Sequence, residues 1–113
     1  MRRQFLITDK AGTDFGILTY AADTRVWHIE INPERTWDDT PLSLALHIKQ
    51  GIYSLNERQS LEWVRDRIVP PNRQNINQLL GALGITEYDE LVLIQHTKGV
   101  STNDNLFLVE LDR

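Results

Sequence analysis

Apolar residues recur at every second position through the first half of this chain and at every third or fourth position through much of the second, with the change of period near Ser54. A period of two sets side chains on alternate faces of a strand, whereas spacings of three and four line one stripe of a helix. A chain that separates the two patterns along its length is expected to be α+β, with its strands and helices in distinct layers. The expected architecture is a small, mostly antiparallel sheet built largely from the first half plus a C-terminal strand, packed against two or three helices from the second half. At 113 residues, with 41% hydrophobic and 25% charged side chains, the chain has the size and composition of one globular domain, so residues 1–113 are read as a single module.

In the strand half, residues 5–8 form a short apolar run, residues 10–14 supply the small and polar side chains of a turn, and residues 15–20 resume in strand style. After a break at Ala22, Asp23 and Thr24, Trp27, Ile29 and Ile31 alternate toward one face. Asn32, Pro33 and Glu34 close that run, and the polar loop 35–40 carries Trp37, an aromatic residue without a periodic partner. Residues 41–49 hold the clearest alternation, with Leu42, Leu44, Leu46 and Ile48 on one side, and are expected to form a strand that anchors the core. Burying those four side chains would contribute roughly 6 to 12 kcal/mol before entropy is counted.

The helical half opens with Ser54 and Glu57 at capping-box spacing, followed by a stripe of Leu61, Val64 and Ile68. Pro70 and Pro71 end that helix and start the next, whose stripe is Ile76, Leu79, Leu80 and Leu83 and whose stop is Gly84. Thr86 and Asp89 offer a further cap. Tyr88, Leu91, Val92 and Gln95 suit a third helix, although residues 91–94 suit a buried strand equally; the helix is preferred. A polar turn after Gly99 then leads into residues 105–111, expected to return to the sheet as the last strand.

The chemistry the chain carries is sparse. Cysteine is absent, which removes disulfides, thiolate metal sites and cysteine nucleophiles. His28, His47 and His96 lack the spacing of a metal site, though His28 and His47 both fall on polar faces of predicted strands, where folding could join them. Asp38 and Asp39 read as solvated turn residues rather than an acid–base pair. Gly12 and Gly16 have no third glycine and no lysine–serine pair, and Gly81 and Gly84 end a helix, so no phosphate-cradling loop is present. Residues 98–104 read as a capped turn rather than a catalytic or anion-binding loop. No catalytic residue, metal site or cofactor is expected, and the chain is not expected to be an enzyme.

A net charge of −4 argues against a primary role on nucleic acid. The arginine-rich stretch 58–73 is interrupted by Glu62 and Asp66, as a solvated helix face would be. The first residues lack the apolar core of a signal peptide and no span reaches membrane length, so no membrane contact and a cytoplasmic location are expected. Trp27, Trp37 and Trp63 suit interface anchors, with burial in the chain's own core the preferred reading for each.

Gly16-Ile17-Leu18, Val26-Trp27-His28-Ile29, Pro41-Leu42-Ser43-Leu44-Ala45-Leu46, the stretch 61–71 with Arg73, and Leu83-Gly84-Ile85 follow one another in an order that resembles the N-terminal subdomain of HipA-type serine/threonine kinases, the toxins of certain bacterial toxin–antitoxin systems. Trp63, Arg67-Ile68-Val69-Pro70-Pro71-Asn72-Arg73 and Gly99-Val100-Ser101-Thr102-Asn103-Asp104 are similar to a variant of this module that precedes HipA-like kinase domains. The catalytic part of such a kinase is much longer and is expected to be missing here. The resemblance therefore implies a HipS-like stand-alone module, an antitoxin that docks onto a separate HipA-like kinase and modulates it at its active-site mouth. Trp63, Arg65, Arg67 and Arg73 are the expected partner contacts, because an apolar anchor and hydrogen-bonding forks would sit together beside the proline corner. Two other readings stand beside it: a phage or mobile-element inhibitor of a host defence enzyme, and a nucleic-acid-binding regulator using the two helices at Pro70 and Pro71 as a helix-turn-helix.

Overall fold

Three consecutive strands, β1 (Arg2–Thr8), β2 (Gly16–Ala21) and β3 (Val26–Ile31), pair antiparallel through short connections, as the turn residues between them predict. The computed structural model describes residues 2–68, 74–101 and 104–111. In the first connection the Asp9 carboxylate accepts from the N–H groups of Ala11 at 3.0 Å and Thr13 at 3.2 Å, which folds the loop locally. Gly16 then lets β2 lie close to β3. A Cβ at this position would stand 2.4 Å from the Glu30 carbonyl oxygen, so a larger residue would prise the strands apart.

The remaining elements are α1 (Leu42–Lys49), β4 (Ser54–Leu55), α2 (Glu57–Arg65), α3 (Ile76–Ala82), α4 (Glu90–Thr97) and β5 (Phe107–Glu110). The strands form one five-stranded antiparallel sheet in the order β4-β3-β2-β1-β5. The fold is α+β, with the sheet drawn mostly from the first half and its last strand returning from the C-terminal end to pair with β1. Phe5, Ile7, Leu18, Tyr20, Trp27, Ile29 and Ile31 form the buried side of the sheet, and side chains of the helices, among them Leu44, Trp63, Val64, Leu80, Leu93 and Ile94, pack on it. Trp27 lies between Tyr20 and Phe5, with ring centroids 4.5 and 6.4 Å away. Ser60 is fully buried, and its hydroxyl accepts from the Ile29 N–H at 3.0 Å, which satisfies a main-chain group that would otherwise be orphaned where α2 meets β3.

Residues 41–49 correct the expected core strand: they form α1. Pro41 stands at the N-cap in an extended conformation, and its carbonyl accepts from the N–H groups of Leu44 and Ala45 at 3.0 and 2.9 Å. Every position from Leu42 to His47 lacks a β-branched side chain, and leucine and alanine favour helix strongly. Leu44, Ala45 and Ile48 turn inward at helical spacing, while Leu42 and Leu46 are left 70% and 54% exposed. Two of the four side chains assigned to the core therefore face water.

The capping box lies two residues later than expected. Asn56 Oδ1 accepts from the Gln59 N–H at 2.8 Å and Gln59 Oε1 accepts from the Asn56 N–H at 3.0 Å, whereas Ser54 already belongs to β4. Gly84 ends α3 as predicted: at φ +75° it permits bonds from the Gly84 N–H to Gly81 and from the Ile85 N–H to Leu80. Leu80 is the fully buried member of that stripe, and Leu83 is exposed. The proline corner at Pro70 and Pro71 lies outside the described residues. Asp89 caps α4 by accepting from the N–H groups of Leu91 and Val92, so residues 90–97 are helical. Among the described residues no helix is long and apolar enough to cross a membrane.

Candidate functional site

Trp63 and Arg67, two of the expected partner contacts, meet inside the chain. The Arg67 guanidinium lies 4.0 Å from the centroid of the Trp63 ring, donates to the Gly99 carbonyl at 2.8 Å and pairs with the Asp104 carboxylate. The side chains of this ion pair are 3% and 5% exposed. Asp104 also accepts from Ser43 Oγ at 2.9 Å, and Ser43 Oγ accepts in turn from Trp63 Nε1 at 3.3 Å. One polar cluster thus ties the start of α1 and the end of α2 to the segment before β5. A buried ion pair survives desolvation only with such additional hydrogen bonds around both charges. Gly99 belongs to the same junction: a Cβ there would stand 2.6 Å from Leu108 Cγ, and its φ of +69° is one that side chains rarely adopt.

Arg65 points elsewhere. Its Nε is 2.9 Å from Glu90 Oε2, and Glu90 Oε1 accepts from Trp27 Nε1 at 3.4 Å, so Arg65 links α2, α4 and the sheet. Arg73 lies outside the described residues. What Trp63, Arg65 and Arg67 hold is the rest of this chain.

A different surface is exposed and apolar. Trp37, 56% exposed, stands beside Leu42 and Leu46 of α1, and together with Thr40, Ala45 and Lys49 they line a shallow pocket of about 380 Å³. Lys49 Nζ lies 5.1 Å from the centroid of the Trp37 ring. The loop that carries Trp37 is braced: Asp39 Oδ1 accepts from the Thr36 N–H at 3.0 Å, and the Tyr53 hydroxyl donates to the Arg35 carbonyl at 2.9 Å. A hydrogen bond from Thr40 and another from the Thr36 main chain hold the Asp39 carboxyl below its ordinary pKa. Large apolar side chains thus gather in a concavity rimmed by charge, the kind of exposed patch that isolated surface side chains do not make. Trp37 departs from the expected burial, and its lack of a periodic partner was the signal. Leu42 and Leu46 went unrecognised because a strand reading turned them inward.

The outer face of the sheet carries His28, Glu30 and Ser54. Glu30 Oε1 lies 2.7 Å from His28 Nε2 and accepts from Ser54 Oγ at 2.9 Å, while Ser54 Oγ and His28 Nε2 are 3.5 Å apart. The hydrogen bond from His28, more than that from Ser54, holds the Glu30 carboxyl below its ordinary pKa against the opposing effect of burial. A single imidazole nitrogen faces both oxygens, so the ring cannot relay a proton from the hydroxyl to the carboxylate as a nucleophile-activating triad does. His47 sits on α1, not on a strand, which removes the expected shared strand setting of the two histidines. Burial raises the pKa values of Tyr20 and Tyr88, beside Asp89 and Glu90 respectively. Among the described residues no three His, Cys, Asp or Glu side chains gather as a metal site would require. Compared with protein-family models, with curated proteins and with solved structures, the chain matches none.

Proposed function

We propose that this chain is a non-catalytic docking module that binds a protein partner through Trp37, Leu42 and Leu46 and regulates it. The observation that carries the reading is the placement of three large apolar side chains, more than half exposed, around one shallow pocket on a braced loop and a short helix. Such side chains stay exposed at a cost in solubility, and an aromatic anchor with two leucines a helical turn apart is the composition of an interface centre. The proposed partner is a HipA-like serine/threonine kinase, following the sequence resemblance, with the chain acting as a HipS-like antitoxin at the mouth of the kinase active site in the bacterial cytoplasm. Arg65, 53% exposed at its side chain, stays in the proposal as a rim contact, and Arg73 joins it on the sequence pattern alone. Trp63 and Arg67 act from within, by holding α1 in place through Ser43.

Co-purification with a co-expressed HipA-like kinase, followed by calorimetric titration, tests the reading. The expected result is a stoichiometric complex whose affinity falls about thirtyfold with Trp37→Ala, the loss of an anchor contributing about 2 kcal/mol, and further with Leu46→Asp. No complex with the kinase overturns the partner, and a complex indifferent to both substitutions overturns the surface.

A further inference from the structure

Strand β5 lies at the end of the sheet, and its main chain is only half used. The register with β1 and the bond from the Leu111 N–H to the Gln4 carbonyl turn Val109 and Leu111 toward β1. The alternation of an antiparallel ladder then turns Leu108 and Glu110 outward. The Leu108 N–H is taken by the Lys98 carbonyl at 2.7 Å. The Leu108 carbonyl and both main-chain groups of Glu110 face outward without a main-chain partner among the described residues. Beside this edge, between α4 and β5, opens a pocket of about 360 Å³ walled by Phe5, Ile94 and Leu108, ample for a leucine or phenylalanine side chain.

The charges around the pocket are unbalanced. Glu110 is neutralised by Arg3, 2.6 Å away, and also accepts from Gln95 at 3.3 Å. Lys98 has no ion pair among the described residues and is exposed at the rim. Its main chain is pinned on both sides, by the bond from its N–H to the Ile94 carbonyl and by the bond to Leu108, so the root of the side chain is fixed beside the edge. A cation with no ion pair, an apolar cavity and three main-chain groups with no main-chain partner among the described residues therefore converge within one short stretch.

We propose that the β5 edge and this pocket bind an extended peptide segment of another protein by strand addition, one apolar side chain filling the pocket and an acidic side chain pairing with Lys98. Because an added strand turns alternate residues to the same face, the apolar and acidic residues stand two positions apart. Main-chain bonds give the affinity, and the pocket with its lysine gives the choice of sequence. The site is separate from the Trp37 surface and stands without it.

Selection of a phage-displayed library of random linear dodecapeptides on the whole chain tests this. The expected consensus is a large apolar residue with Asp or Glu two positions away. A synthetic consensus peptide, followed by fluorescence anisotropy, should bind Lys98→Glu about tenfold more weakly, and exchanging its acid for lysine should restore binding to that variant. N-methylation of the peptide amide that faces β5 should weaken binding at least as much, and methylation of the next amide should not. The proposal is overturned by an absence of consensus, by a consensus peptide indifferent to both changes, or by protection of Glu110 from hydrogen exchange that grows with protein concentration, which would make the occupant a second copy. No kinase enters this assay, so its failure and that of the docking reading are scored apart.

Discussion

Trp63 and Trp37 each carry a cation over the ring, and they do opposite work. Trp63, 4% exposed, has Arg67 at 4.0 Å; Trp37, 56% exposed, has Lys49 at 5.1 Å. A cation over an aromatic face contributes about 0.5–1 kcal/mol in water and about 2 kcal/mol or more when desolvated. The larger difference lies in what else each cation binds. Arg67 is also claimed by Gly99, Leu106 and Asp104, so the turn at Gly99 and the stretch 104–106 are locked around it. Lys49 carries no ion pair among the described residues, and its ring partner stays available to a neighbour. A cation over an indole ring thus serves as a fastener where the cation is saturated and as an exposed surface where it is not.

The comparison predicts effects of decreasing size. Asp104→Ala leaves Arg67 buried without its counter-charge and should lower unfolding free energy by about 3–5 kcal/mol in urea titration. The double variant Arg67→Met with Asp104→Leu should cost less than Asp104→Ala, since no uncompensated charge remains. At the other tryptophan, Trp37→Ala should change stability by less than about 1 kcal/mol while weakening partner binding as described above. Equal stability losses at the two sites would break the contrast. Ser43→Ala sharpens it, because that hydroxyl connects α1 to Asp104 and Trp63; a loss of about 1 kcal/mol in chemical denaturation is expected.

The smallest effect concerns Glu30. Its carboxyl is held below its ordinary value of 4.5, chiefly by the hydrogen bond from His28, so its contribution to stability is present above that value and is lost as pH falls through the lowered one. The group is largely exposed, so water screens the interaction and the loss should be well under about 1 kcal/mol. Glu30→Gln should accordingly flatten the stability profile below pH 4.5 only slightly.

The sheet was legible wherever local chemistry and hydrophobic period agreed. Trp27, Ile29 and Ile31 alternate between turn residues, and all three are buried in β3. Asp89 and Gly84 act as helix start and stop because a carboxylate or a left-handed glycine satisfies helix ends with no help from distant residues. The stretch 41–49 failed for a particular reason. Leu42, Leu44, Leu46 and Ile48 satisfy a period of two, while Leu44, Ala45 and Ile48 satisfy a helix equally well, so periodicity alone could not decide. The proposed docking surface was lost with that stretch, since only a helix parts Leu42 and Leu46 from the buried Leu44 and Ile48.

By itself the sequence determined the α+β class, the strands β1 to β3 and the helix stop at Gly84, since period and turn chemistry agree there over a few residues. Only the tertiary structure decided which tryptophan stays outside, that Arg67 turns to Asp104 thirty-seven residues away, and which face of α1 meets water. Those outcomes depend on desolvation and on partners brought together by the whole fold, and no local pattern encodes the distance between Arg67 and the segment that neutralises it.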